Sequence, residues 1–64
     1  MRLWLKELRI KKGFTQNGLA LLVNIDKTTI SKYEQDICSP SVKIAKEIAE
    51  ILEFDWRLFY SDNE

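Results

Sequence analysis

At 64 residues the chain holds one small domain at most, with no room beside it for a catalytic or effector domain, and its core must be economical. A content of 45% hydrophobic and 31% charged residues argues against disorder, no apolar run approaches the roughly 18 residues of a membrane span, and "MRLWLKELR" lacks the unbroken apolar stretch of a secretory signal. The formal net charge of zero conceals a split: residues 1–35 carry seven Lys/Arg against three acids, giving +4, and residues 36–64 carry three against seven, giving −4, an asymmetry that hints at a polyanion-binding face.

The elements read as helices throughout. Trp4, Leu5 and Leu8 fall at three- and four-residue spacing among charges, which predicts an amphipathic helix over about residues 2–12, ended by Gly13 in a left-handed conformation. Thr15 is a suitable N-cap for a second helix, Gln16 to Val23, with Leu19, Leu22 and Val23 on its inner side. Asn24 closes that helix, and Asp26 stands where it can cap a third, Lys27 to Gln35. "CSPS" then breaks the chain, with Ser39 or Ser41 available to cap a fourth helix. Along "SVKIAKEIAEILE", residues Val42, Ala45, Ile48, Ala49 and Leu52 share one face, while Lys43, Lys46, Glu47 and Glu50 share the other. "FDWRLFY" predicts a short fifth helix capped by Asp55, and residues 61–64 a frayed tail. The single cysteine, Cys38, cannot form an internal disulfide, suits a reducing cytoplasm and reads as a small loop or core side chain. The expected architecture is one all-α, five-helix domain over residues 1–60.

The second and third helices are short, and the "VNID" between them suits a tight helix-turn-helix crossing at a steep angle. Ala20 is small where the two helices would come closest, and Asn24 tolerates a left-handed turn. Leu19, Val23, Ile25, Ile30 and Tyr33 fall at inward positions. Lys27, Thr28, Ser31, Lys32 and Gln35 are then left facing solvent. They form a basic, hydrogen-bonding strip with the chemistry for base edges and phosphates in a major groove.

Catalysis has no residues to work with. There is no His, no Cys pair, no glycine-rich phosphate loop and no Ser placed with a base, so neither a metal site nor a triad can be assembled. Glu47 and Glu50, next to Lys43 and Lys46, read as surface ion pairs. No cofactor, metal or small-molecule site is expected.

From "LKELRIKKGFTQ" through "IAEILEFDWRLFY" the chain resembles the Cro/cI-type, or XRE-type, helix-turn-helix family of phage repressors and small bacterial transcriptional regulators. The resemblance lies in a helix-1 Arg, then Gly-x-Thr-Gln, then Ala, the turn, Ile, and a Glu closing helix 3. It implies a compact lambda-repressor-like domain, double-stranded DNA as partner, and transcriptional regulation in the cytoplasm, by repression. On the matching positions, Lys27, Thr28 and Lys32 would contact bases, Gln16 would contact a phosphate at the start of helix 2, and Arg9 and Glu34 would pair. Thr15, Ser31 and Gln35 are further phosphate candidates. Two departures stand out: Gly18 where the family often has a Glu that completes a capping box, and "QDICS" where it often has Asn-Gly and then basic residues.

Trp56, Leu58, Phe59 and Tyr60 read first as core closure. Whatever they leave exposed, with Ile51 and Phe54 at the end of helix 4, is the candidate surface for a weak two-fold homodimer completed on DNA. The alternative from another class is an antitoxin-like or adaptor module on the same fold, its acidic second half and aromatic tail gripping another protein.

Overall fold

The structure, a computed structural model, describes residues 2–60. Four α-helices, α1 (Leu3–Lys11), α2 (Gln16–Leu22), α3 (Lys27–Glu34) and α4 (Val42–Leu52), are followed by a 3-10 helix over Trp56–Tyr60. No strand occurs among the described residues. The fifth expected helix is therefore a 3-10 segment rather than an α-helix, a form that occurs in short pieces such as this run of five residues. The tail expected to fray, residues 61–64, lies outside the described residues.

Each α-helix stops by the same device. Gly13, Asn24, Asp36 and Glu53 all have φ between 61° and 84°, the left-handed conformation. Beyond each of them an apolar residue donates its N–H to a carbonyl within the helix. Phe14 donates to the Arg9 carbonyl, Ile25 to Ala20, Ile37 to Lys32 and Phe54 to Ala49, all at 3.0 Å. This is the Schellman closure, in which the residue after the left-handed one usually packs back on the helix. Phe14, Ile25 and Phe54 do pack against the core, whereas Ile37 is exposed. Only the first of the four left-handed residues is glycine, so the other three accept a steric penalty of roughly 1–2 kcal/mol each, less for the Asn and Asp.

The helix starts are less uniform. Thr15 Oγ1 accepts from the Gly18 N–H at 2.9 Å and Ser41 Oγ from the Ile44 N–H at 3.3 Å, so Ser41 rather than Ser39 is the cap of α4. Asp26 occupies the cap position of α3, yet its side chain accepts no capping bond. Its backbone carbonyl takes the Thr29 and Ile30 N–H groups instead, which corrects the expectation that its carboxylate would do the capping.

Leu5, Leu19, Ile30, Ile48 and Leu52 are fully buried and are joined by Ala20, Val23, Tyr33, Ala45, Ala49 and Phe59. Two residues assigned inward do not belong there: Leu22 is 58% and Val42 48% exposed. In α2 the buried positions are Leu19, Ala20 and, just beyond, Val23, and Leu22 lies about a quarter-turn off that stripe. It lines an open groove of about 440 Å³ with Val23, Asn24, Lys43, Ile44 and Glu47. Val42 is the first residue of α4, ahead of the turns that bury Ala45, Ile48 and Leu52. Cys38 is exposed in the loop after α3.

Aromatic rings close the other side of the core. Phe59 meets Trp4 at 5.4 Å, Phe54 at 5.6 Å and Tyr33 at 6.4 Å between centroids, and Trp4 meets Phe54 at 5.2 Å. Most of these contacts are edge-on, the favourable geometry for ring quadrupoles. Phe59, a candidate surface residue by sequence, is thus a buried core residue. Ile51, Phe54 and Trp56 are half-buried, while Leu58 and Tyr60 are 44% and 42% exposed. The Tyr60 hydroxyl donates to the Pro40 carbonyl at 2.6 Å, and Lys46 Nζ stands 5.2 Å from the centre of the Trp56 ring.

Candidate nucleic-acid interface

Helical geometry sorts α3 into two faces. Ile30, Tyr33 and Glu34 are buried, while Lys27, Thr28, Lys32 and Gln35 are exposed and Ser31 is half-buried between them. The exposed side chains follow the spacing i, i+1, i+5, i+8, with Ser31 at i+4, which keeps them on one strip. That strip carries two cations and no carboxylate. Gln35 Nε2 donates to Ser31 Oγ at 2.8 Å, so two of the candidate phosphate ligands are held together as an i, i+4 pair. The turn before α3 is set by Asn24 at φ 61°, and Ala20, the small residue expected at the helix crossing, is buried at 1% exposed.

A buried carboxylate ties α3 to the elements before it. Glu34 is 2% exposed. Its Oε2 lies 2.6 Å from Arg9 Nε and its Oε1 3.5 Å from Arg9 Nη2, while Gln16 Nε2 donates to Oε1 at 3.1 Å. Arg9, 7% exposed, uses Nη1 to donate to the Phe14 carbonyl at 2.8 Å. A desolvated ion pair is tolerated when its remaining donors and acceptors are also satisfied. Here they are drawn from α1, the α1–α2 connection, α2 and α3. Gln16 is accordingly not a loose surface side chain: it is half-buried and its carboxamide is anchored at the start of α2, with the oxygen and one N–H left over. Thr15 is exposed, its hydroxyl oxygen engaged as the helix cap.

The loop after α3, Asp36 to Ser39, brings no basic side chain to the interface. In its place stands Arg2, which reaches the loop from before α1. It donates to the Tyr33 carbonyl, the Cys38 carbonyl at 3.0 Å and Ser39 Oγ at 2.7 Å, and pairs with Asp36 Oδ1 at 3.2 Å. Sequence reasoning counted Arg2 only toward the charge of the first half. Its partners are mostly backbone carbonyls, which have no sequence identity, so no signal pointed to them. The Gln16–Glu34 bond has no sequence signal either, since the two residues lie 18 positions apart on different helices. Burial pushes the Tyr33 phenol above its ordinary value, and the neighbouring Cys38 and Tyr60 add to the shift.

The described residues hold no group of three or more His, Cys, Asp or Glu placed to bind a metal ion, and no helix among them is long and apolar enough to cross a membrane.

A family model described as "Helix-turn-helix" matches residues 5–59. The chain is 42% identical over 62 residues to the uncharacterized HTH-type transcriptional regulator YqaF of Bacillus subtilis (strain 168), a match that covers 97% of this chain and 82% of that protein. It is 35% identical over 48 residues to a protein of Aeropyrum pernix that carries the provisional name of an HTH-type transcriptional regulatory protein. That match covers 75% of this chain but 15% of the longer protein. No solved structure matches the chain.

Proposed function

The chain belongs to the XRE-type helix-turn-helix family, and from that premise we propose that it is a sequence-specific, double-stranded-DNA-binding transcriptional regulator of lambda-repressor-like plan. It acts in the cytoplasm, reads the major groove with α3 and represses by occlusion. The observation that carries this reading is the two-faced character of α3. One side is locked into the core by Ile30, Tyr33 and Glu34; the other offers Lys27, Thr28 and Lys32 to solvent with no carboxylate among them.

In the groove, the two ammonium groups suit the O6 and N7 acceptors of guanine, and the Thr28 hydroxyl can donate or accept. In this reading Gln16, Thr15, Ser31 and Gln35 are the polar groups assigned to phosphate oxygens, contacts that position a protein without specifying sequence. Selection of bound fragments from a random duplex library tests the whole reading: one site should be enriched, and its affinity should fall steeply as salt rises. Lys27→Ala and Lys32→Ala should then each cost about 1–3 kcal/mol on the selected site and much less on random duplex. A library that yields no enriched site, with binding indifferent to salt, refutes the proposal.

One copy of α3 reads only a few base pairs, so the reading extends to two copies on half-sites about 34 Å apart. The contact surface is the exposed Leu58 and Tyr60 with the half-buried Trp56, Ile51 and Phe54. Phe59 is excluded by its burial, so Leu58→Asp is the variant to use. It should abolish cooperative binding to a palindrome while half-site affinity persists. Independent occupation of the two half-sites by the wild-type chain argues against this assembly.

A further inference from the structure

We propose that Arg2 is a positioning residue for DNA recognition: it fixes the C-terminal end of α3 and the loop after it, and through them the attitude of Lys32 and Gln35 toward the groove. The proposal rests on the reading of α3 as the DNA-binding helix.

The last carbonyls of a helix have no partner within it. At the end of α3 two of them are taken by one residue. The Arg2 backbone N–H donates to the Glu34 carbonyl at 2.8 Å, and its guanidinium donates to the Tyr33 carbonyl. A cation suits this end of a helix, where the dipole is negative. The same guanidinium holds the Cys38 carbonyl, Ser39 Oγ and the Asp36 carboxylate, and its carbon lies 5.5 Å from the centre of the Phe59 ring. Arg2 is 7% exposed. A buried charge with this many partners is held in one place, and it holds its partners in turn. The Asp36 and Ile37 N–H groups close the helix on the Tyr33 and Lys32 carbonyls; among the described residues no other side chain hydrogen-bonds to residues 36–39, so beyond those two backbone bonds the loop is held by this one fork.

The geometry calls for arginine specifically. A planar guanidinium presents five N–H groups at fixed angles and here reaches four residues at once, whereas an ammonium offers three N–H groups from a single point. Lys32 and Gln35 flank the two residues whose carbonyls Arg2 binds and project from the opposite side of the helix. A shift or fraying of the last turn therefore moves Lys32, assigned to a base edge, and Gln35, assigned to a phosphate, without touching either. Arg9 secures Glu34 by its side chain, but it makes no bond to the backbone of that turn.

The test compares the wild-type chain with Arg2→Met and Arg2→Lys, at a temperature where melts show each variant folded. Affinity is measured for the selected duplex and for random duplex, and amide hydrogen exchange is followed along the chain. Arg2→Met should weaken the selected duplex by about tenfold or more, the scale of one lost base contact, with random binding nearly unchanged. Exchange at residues 36–39 should accelerate while the α4 amides keep their protection. Arg2→Lys should fall between the two. If Arg2→Met does not fold, Arg2→Lys and Ser39→Ala, which each remove part of the fork's contacts, carry the same readout. A merely structural role would weaken both duplexes by one factor, set by the unfolded fraction; an unchanged ratio of selected to random affinity overturns the proposal alone. A wild-type chain that discriminates between no duplexes overturns the functional reading, and this proposal with it.

Discussion

Glu34 at the end of α3 and Phe59 in the C-terminal 3-10 helix are buried almost equally, 2% and 4% exposed, but by different physics. Glu34 sits in a closed set of hydrogen bonds from Arg9 and Gln16, while Phe59 is walled by the rings of Trp4, Phe54 and Tyr33. Hydrogen bonds to a buried charge are directional and fail if one member is lost. Ring packing has a milder directional preference, for edge-on over face-to-face contact, and tolerates exchange of one apolar group for another of similar volume. The helix expected to touch DNA is thus held where orientation matters, and the end of the chain is held where only closure matters.

The largest expected effect breaks that comparison on its polar side. Glu34→Gln keeps the shape and removes the charge, so the buried Arg9 guanidinium loses its counter-ion. Breaking such a pair costs about 3–5 kcal/mol, a large part of the total stability of a domain this small. Urea unfolding of Glu34→Gln, Arg9→Met and the double variant should show the second substitution costing far less once the first is made. Additive effects would mean that the network is no more directional than the rings.

On the apolar side the matching substitution is Phe59→Leu. It keeps an apolar side chain of similar bulk and loses the edge-on ring contacts, for a cost of about 1–2 kcal/mol, measured by the same unfolding curves. A loss as large as that for Glu34→Gln would erase the distinction between the two regions.

The same contrast explains what could be read from sequence. The apolar stripe of α4, Ala45, Ile48, Ala49 and Leu52, is legible because burial follows helical periodicity, and so are the cap Thr15 and the left-handed Asn24, because single residue types carry those roles; the choice of Ser41 over Ser39 as the cap of α4 is not, since both are serines. The exposed strip of α3 follows from the same arithmetic once Ile30 and Tyr33 are placed inside. Leu22 and Val42 mislead because an apolar residue at the edge of a stripe looks like one within it. Glu53 could not be recognised as left-handed from its type, Asp36 is of a type that tolerates the conformation but does not require it, and Arg2 could not be recognised as buried. Its burial depends on carbonyls brought to it by the fold, not on any pattern along the chain.

Asp36 and Glu53 allow a sharper form of the comparison. Both are left-handed residues that end a helix, and both meet a cation: Asp36 pairs with the buried Arg2, and Glu53 Oε2 lies 2.9 Å from Lys12 Nζ at the surface. Glycine takes the left-handed conformation without strain. Glu53→Gly should therefore raise the Tm by a few degrees, since the pair it gives up is exposed and weak. Asp36→Gly should gain less or lose, because it also strips a partner from a desolvated guanidinium. Equal gains in thermal melts would show that the Arg2 site does not depend on its carboxylate.

The smallest effect is expected from pH, at the C-terminal segment. The Arg57 side chain, and after it the Arg57 backbone N–H, donate to the Asp55 carboxylate and hold its pKa at about 2, below the ordinary 3.8. A carboxyl whose folded pKa is depressed adds stability above its unfolded pKa and loses it as pH falls toward the folded value. The contribution of this pair should be complete well above 3.8 and disappear as pH falls through the interval from 3.8 to about 2. It should be small, because both side chains are exposed and salt screens such pairs. The measurement is the difference in Tm between the wild-type chain and Asp55→Asn, taken from about pH 5 down to about pH 2, across the titration of the carboxyl, at low and at high salt. The difference should shrink toward low pH and should be smaller throughout in high salt. A difference that stays constant with pH would assign the effect of Asp55 to its place at the start of the 3-10 helix, where the Asn amide oxygen could accept the Arg57 N–H equally well, rather than to its charge.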